Sequence, residues 1–429
     1  MRTDIFIDNA FVAAASGKRF EVINPATEDA VASVAEGDAP DIDQAVASSR
    51  ACFESDGWRE LSGRKRGAIL YKAANLLESS LGDVARLETL QNGKPLFESK
   101  IDVSMTVETL RYYAGWADKL AGETVPVEGP YFTYTLREPV GVVGAIVPWN
   151  FPLNLASWKF APALAAGCTV ILKPATETPL TALMMAEVFA DAGLPAGAFN
   201  VVPGGGREAG GALVRHPGVD KIAFTGSTEV GRTVMRDAAE TLKRVTLELG
   251  GKSPNVIFAD ADLKAAIRGA QTGIFYGKGE VCAAGSRLLV ERTVKDQVVE
   301  ALAQRAKRLV PGDPFNKETR LGAIVSKSQQ ERVLGYIAAG QSEGATLVSG
   351  GKPATVDDKG YFVEATVFDG VTPDMTIARE EIFGPVLSVL PFDDLEEAIG
   401  LANQSMYGLA AGIWTRDIAK AHRVAAEIQ

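Results

Sequence analysis

Val140–Pro148 reads VGVVGAIVP, a short apolar run without the alternation of a half-solvated strand, bounded by a glycine near its start and a proline at its end. Such a run fits a strand buried on both faces, the environment of a parallel sheet. Four similar runs follow: CTVILKP (168–174), FNVVPG (199–204), KIAFTG (221–226) and RVTLELGG (244–251). Helical patterns near 156–166, 179–192, 207–215 and 228–240 separate them. This alternation predicts a doubly wound parallel sheet, which gathers ligands at the carboxyl ends of its strands. Those ends carry Pro148-Trp149-Asn150, Lys173-Pro174, Gly226-Ser227-Thr228 and Glu248-Leu249-Gly250-Gly251.

On the N-terminal side of these strands, helices are expected at 41–54, 63–78 and 102–120. The stretch TVPVEGPYFTYTLREPV (124–140) alternates between prolines and reads as a projecting hairpin. After Lys252 a second α/β region begins with NVIF, a helix over 262–276, SRLLVE, and a helix over 294–309. YFVEATVF, PVLSVLPF and GLAAGIWT read as its later strands.

With 44 basic and 54 acidic residues, the net charge of −10 disfavours phosphate backbones and anionic membrane surfaces. No apolar run reaches the roughly 20 residues of a membrane span. Asp4, Asp8 and Asn9 interrupt the opening stretch, so it does not read as a signal peptide, and a cytoplasmic location is expected. Cys52, Cys168 and Cys282 are widely spaced and odd in number, which argues against a disulfide framework. With only His216 and His422 beside them, no zinc ligand set is expected. A cysteine here is therefore core filler or nucleophile. Cys52 and Cys168 lie in apolar patterns, whereas Cys282 sits in GKGEVCAAGSR (277–287), a loop of small residues that lets a thiol approach a substrate.

The G-x-G-x-x-G dinucleotide fingerprint is absent, and PGGGREAGG (203–211) reads as a glycine-rich turn. FTGSTEVG (224–231) ends a strand and caps a helix, leaving a helix N-terminus suited to phosphate.

PWNFP (148–152), KP (173–174), FTGSTEVG, ELGGKSP (248–254), the Cys282 loop and EEIFGPV (380–386) follow one another in a set order, and this set resembles the aldehyde dehydrogenase superfamily from near residue 5 to the end. The resemblance implies a Rossmann-like cofactor domain (1–120 and 140–250), a bridging oligomerisation hairpin (121–139) and an α/β catalytic domain (251–429). It implies oxidation of an aldehyde to the acid with NAD or NADP, through a thiohemiacetal and then a thioester on Cys282. Asn150 would stabilise the oxyanion, Glu248 would activate the hydrolytic water, and Lys159 would lie in the site. Pro148, Trp149, Lys173, Thr176, Gly226, Ser227, Leu249, Glu381 and Phe383 would bind the cofactor. Many NAD-preferring members carry glutamate where this chain has Thr176, so both cofactors are expected, with NAD slightly favoured. Tyr112, Trp116, Trp158, Glu280 and Ala283 are expected around the substrate. The family continues past a helix like the final AHRVAAEIQ into a strand, a pocket loop and a subunit-pairing segment, and it forms homodimers or homotetramers. A coenzyme A-acylating relative and a catalytically silent scaffold are the rival readings.

Overall fold

Five adjacent parallel strands make up most of the first sheet, and their order places its ligand crevice. The computed structural model describes residues 2–429. It divides into two units: one comprises the chain up to Ile23, Ala30–Gln91 and Ser99–Glu248, the other Asn24–Asp29, Asn92–Glu98 and Leu249–Gln429.

The main sheet of the first unit has strands β1 (Ile5–Ile7), β2 (Ala10–Val12), β3 (Val142–Ile146), β4 (Thr169–Lys173), β5 (Phe199–Val201), β6 (Lys221–Thr225) and β7 (Arg244–Glu248). Their order is β7-β6-β3-β4-β5-β1-β2. The five from β3 to β7 run parallel, and β1 joins β5 antiparallel, an addition the sequence patterns did not suggest. Since β4 and β5 lie on one side of β3 while β6 and β7 lie on the other, the order reverses between β3 and β6. That reversal is where doubly wound sheets open a crevice. The register sets Ile146 beside Lys173 and Phe224, and Thr225 beside Glu248. Strands β3 and β4 are buried at every position, as their unbroken apolar patterns require.

Helix α1 (Pro152–Ala166) begins four residues earlier than its apolar spacing suggested, because Pro152 occupies the first turn, where a missing N–H costs nothing. It ends at Gly167, whose φ of 93° closes the helix in the left-handed region. Helix α2 (Thr228–Ala239) starts at Ser227, whose side chain accepts a hydrogen bond from the Val230 N–H at 3.3 Å. The pattern at 207–215 resolves into a π-helical turn over Gly206–Gly210 and a short helix over Gly211–Arg215. The hairpin is a minimal antiparallel pair, Thr124–Val125 with Thr133–Tyr134, and its residues are exposed.

The second unit has strands β8 (Pro254–Ile257), β9 (Arg287–Glu291), β10 (Thr346–Ser349), β11 (Thr366–Asp369), β12 (Val386–Phe392) and β13 (Gly412–Trp414), ordered β10-β11-β12-β9-β8-β13. Only β10 is antiparallel to its neighbour. Apolar clusters pack around this sheet, one centred on Leu289, Val386 and Phe392 and another on Leu288, Val389 and Ile274 of helix α3 (Leu263–Phe275). The segment 276–286 links α3 to β9, and it carries Cys282. No helix is long and apolar enough to cross a membrane among the described residues.

Candidate functional site

The first unit brings its predicted residues to the crevice between β3 and β6. Asn150 follows β3 and is buried. Helix α1 starts two residues later, and its Leu153 N–H donates to Glu88 Oε1 at 3.1 Å. The same carboxylate accepts from Gln91 and Thr181, at 2.9 and 2.7 Å. Glu88 thus satisfies an orphan donor at the helix start and complements its dipole. Sequence reading missed it, since a glutamate within a helical pattern looks like a solvated face.

Lys159, on α1, is 9% exposed and donates to Thr225 Oγ1 at 2.6 Å. Burial pulls its pKa down from 10.5 to about 8, against the opposing pull of the Glu248 charge. Glu248 itself is exposed, while its carbonyl accepts from the Gly226 N–H at 3.1 Å. A cavity of about 600 Å³ lies along this face, lined among others by Tyr113, Trp158, Lys159, Phe224, Thr246 and Glu248. The aromatic residues expected near the substrate differ in their fates. Trp158 lines the cavity, whereas Tyr112 packs edge-on against the lining residue Tyr113 and tilts against Trp116.

A pH-dependent stability follows from Lys159. The folded state binds its proton more weakly than the unfolded chain does, so between the two pKa values the unfolded chain holds more protons and stability rises with pH. Relative to Lys159→Met, the wild type gains about 2 kcal/mol from about pH 7 to about pH 9.5 in urea unfolding. A constant difference across that range would refute the shift.

At the end of β4, Lys173 is buried, and burial lowers its pKa to about 8, with Glu177 and Glu208 pulling the other way. The Thr176 hydroxyl donates to Glu177 Oε2 at 3.1 Å, so a carboxylate remains beside the neutral threonine. The buried Thr178 hydroxyl nearby has no hydrogen-bond partner. Gly226 and Ser227 open the N-terminus of α2. A buried lysine, an unsatisfied hydroxyl and a capped helix start form a donor set suited to a dinucleotide's hydroxyl and phosphate groups.

In the second unit, three backbone segments meet through glycines. A Cβ on Gly251 would lie 2.3 Å from the Cys282 carbonyl oxygen, and one on Gly250 would lie 2.2 Å from Glu381 Oε2. A Cβ on Gly279 would lie 2.1 Å from the Gly384 oxygen. Glu381 Oε1 also accepts from the Gly251 N–H at 3.1 Å. Half-buried Cys282 and the Glu381 carboxylate are therefore held on one frame with Leu249 at its edge. Burial raises the Glu381 pKa, and the charge of Lys252 opposes that rise. Phe383 has a φ of 58°, rare for a side chain of its size. Gln329 donates to the Phe383 carbonyl at 2.8 Å and Arg332 to that of Glu381 at 3.3 Å. Neither residue was anticipated, since both lie in or beside an amphipathic pattern far from the motifs. Cys52 and Cys168 are buried core residues. Glu280, expected around the substrate, is deeply buried. It is 1% exposed and ion-paired with Lys278 at 2.7 Å.

Because the frame admits no extra carbon, Gly251→Ala must push the Cys282 backbone away. We expect a loss of about 1–3 kcal/mol in urea unfolding, the usual cost of overpacking, together with at least about tenfold lower turnover. A Gly251→Ala enzyme with wild-type rate and stability would contradict this packing.

A parallel sheet with a crevice at its strand reversal suits a dinucleotide, and a thiol on a loop of small residues suits covalent chemistry, the two parts of a dinucleotide-dependent oxidoreductase. The aldehyde dehydrogenase family model matches residues 11–429, and the chain belongs to that family. Over 430 residues the chain is 50% identical to an aldehyde dehydrogenase of Enchytraeus buchholzi, covering 100% of this chain and 86% of the relative. It is 49% identical to the mitochondrial aldehyde dehydrogenase of Rattus norvegicus over 428 residues, covering 99% and 82%. The structure of a Bacillus cereus aldehyde dehydrogenase in complex with NAD+ superposes with a TM-score of 0.98 at 53% identity, covering 100% of this chain and 87% of that one. The enzyme oxidises aldehydes and uses NAD(P).

Proposed function

We propose that Cys282 is the nucleophile, that Asn150 and the Cys282 N–H stabilise the oxyanion, and that Glu248 activates the water. The frame joining Gly250, Gly251, Cys282 and Glu381 carries this reading. It fixes the thiol's backbone relative to a carboxylate able to accept from ribose hydroxyls. An aldehyde is a poor hydride donor until a nucleophile adds to its carbonyl. The Cys282 thiolate supplies that addition and gives a tetrahedral thiohemiacetal. Its oxyanion is held by preorganised donors, which keep charge in place as the C–H bond weakens. Bound NAD(P)+ supplies the hydride acceptor. The thioester left on Cys282 is cleaved by the water that Glu248 deprotonates, releasing acid and free thiol. Lys159 lines the same cavity as Glu248. Glu248 is also what favours hydrolysis over transfer to coenzyme A, which needs no water base.

Lys173, Thr176, Gly226 and Ser227 would hold the cofactor in the first unit, with Pro148 and Trp149 beside them. Glu381, Phe383 and Leu249 would do so in the second. These assignments make the first unit the cofactor-binding domain and residues 251–429 the catalytic domain. The Glu177 carboxylate beside Thr176 supports a modest preference for NAD, because it repels a 2′-phosphate. Glu177→Gln should shift the NADP-to-NAD ratio of kcat/KM toward NADP by about fivefold, the worth of one partly exposed charge interaction. An unchanged ratio would show that Glu177 does not face the ribose.

Tyr131, Phe132, Tyr134 and Leu136 of the hairpin region are each more than half exposed, an apolar patch that suits coverage by a second copy. We assign residues 121–139 to a homodimer or homotetramer contact and place the enzyme in the cytoplasm. Light scattering of the wild type and a Tyr131→Ser/Phe132→Ser variant tests the first assignment. Equal masses would refute it.

A further inference from the structure

The turn that precedes Cys282 is held by buried charge rather than by a regular hydrogen-bond ladder. Gly277, Lys278 and Gly279 have φ values of 58°, 63° and 70°, so three successive residues sit in the left-handed region. For the two glycines that conformation is easy. For Lys278 it is strained, and strain of this kind persists only where the surroundings impose it. Those surroundings are polar. Lys278 is 1% exposed, and its Nζ donates to the Asn92 carbonyl at 2.9 Å and to Asn92 Oδ1 at 3.0 Å. The same ammonium lies 2.7 Å from Glu280 Oε2, itself 1% exposed. The other Glu280 oxygen accepts from the Val325 N–H at 3.1 Å, and Glu98 Oε1 accepts from the Gly277 N–H at 3.2 Å. Lys94, also buried, adds its charge to the cluster. On the opposite side, Gly279 meets the Gly384 carbonyl with no room for a Cβ.

Three separate segments, 92–98, Val325 and Gly384, therefore fix a turn that ends three residues before the thiol. A buried ion pair is a poor way to stabilise a fold, because an apolar pair of similar volume serves as well or better. What it supplies is direction: each of these donors and acceptors tolerates only a narrow range of turn positions. We propose that the Lys278–Glu280 pair, anchored to Asn92 and Val325, is a positioning device that sets where the Cys282 backbone and thiol lie. This rests on Cys282 being the nucleophile. The pair touches neither substrate nor cofactor in this reading. It acts through the turn.

Alkylation by iodoacetamide, located by peptide mass, reads the thiol directly and needs no aldehyde. Cys52 and Cys168 serve as internal controls, because general loosening would expose those buried thiols as well. In Lys278→Met the alkylation rate of Cys282 and kcat should each change by at least about tenfold, as expected for a displaced reacting atom. Labelling of Cys52 and Cys168 and the NAD+ dissociation constant should stay within about twofold, since the device acts on one loop. The doubly neutral Lys278→Gln/Glu280→Gln variant keeps hydrogen-bonding groups without a lone buried charge, and it should regain most of the loss. If Lys278→Met does not fold, Glu280→Gln replaces it against the same double variant. Wild-type alkylation and kcat in a folded single variant overturn the proposal. So does faster labelling of all three cysteines, or a folded double variant no better than the single one. Retained turnover in Cys282→Ala would instead overturn the nucleophile assignment and leave the alkylation comparison intact.

Discussion

With Cys282 as the proposed nucleophile, Cys282→Ala should abolish NAD(P)H formation from any aldehyde and leave the cofactor bound. Without the sulfur no thiohemiacetal forms, and the remaining donors can only polarise a carbonyl whose hydrogen is not yet hydridic. Removing a covalent nucleophile costs about 10⁴–10⁶ in kcat where the other groups act as a unit with it. That corresponds to about 5–8 kcal/mol of transition-state stabilisation. Cofactor affinity should change by less than about twofold, because no residue proposed to contact the cofactor is altered. The loop's place does not depend on the sulfur either: the Cys282 carbonyl abuts Gly251, and Gly279 abuts Gly384. Stopped-flow absorbance of NAD(P)H and fluorescence titration of the cofactor measure the two halves. Turnover within tenfold of wild type would remove Cys282 from the mechanism, whereas lost cofactor binding would show that the substitution disturbed the frame.

The parallel sheet was legible because burial on both faces leaves an unmistakable mark: β3 and β4 have no polar alternation, and both are wholly buried. Where the sequence misled, local chemistry outweighed periodicity. The apolar spacing put the start of the helix near 156, yet at a helix's first turn the ring of Pro152 costs nothing and α1 starts there. The helix expected over 102–120 runs over Leu96–Trp116, since its Pro95 flank marks the start more strongly than the apolar spacing does. The antiparallel strands β1 and β2 were missed because three-residue strands carry too little pattern. For the candidate site, the motif residues were legible through the resemblance, but their supports were not. Glu88 and Gln329 are polar residues outside every motif, and Lys278 stands in the Cys282 loop without any role the sequence pattern assigns to it. Glu280 makes the point: a carboxylate two residues before a thiol reads as pocket lining, and only its 2.7 Å contact with a buried lysine reveals an anchor. The contact that gives each such residue its role is tertiary, so it is hidden whether the residue lies far from the motifs, as Glu88 and Gln329 do, or inside one, as Lys278 and Glu280 do.

Glu248→Gln should separate the two halves of the reaction. Glutamine keeps the shape and the backbone contact through which the position-248 carbonyl accepts from Gly226, so the strand end stays in place. What disappears is the proton acceptor. Acylation does not need it, and a first turnover of NAD(P)H should still appear as a burst close to the enzyme concentration. Hydrolysis does need it, and steady-state turnover should fall by about 10²–10⁴, the usual contribution of a positioned base. The thioester then accumulates, and the Cys282 peptide gains the mass of the acyl group. Exposure of Glu248 matters here, because a base that must reach water gains from facing it. Coenzyme A divides the rival readings. If the acyl group normally passes to a thiol, adding coenzyme A restores full turnover to the Glu248→Gln enzyme, and hydrolysis is not its reaction. If water is the acceptor, coenzyme A leaves the deficit in place. A variant that turns over at the wild-type rate without coenzyme A would remove Glu248 from the mechanism and leave the base to be sought elsewhere.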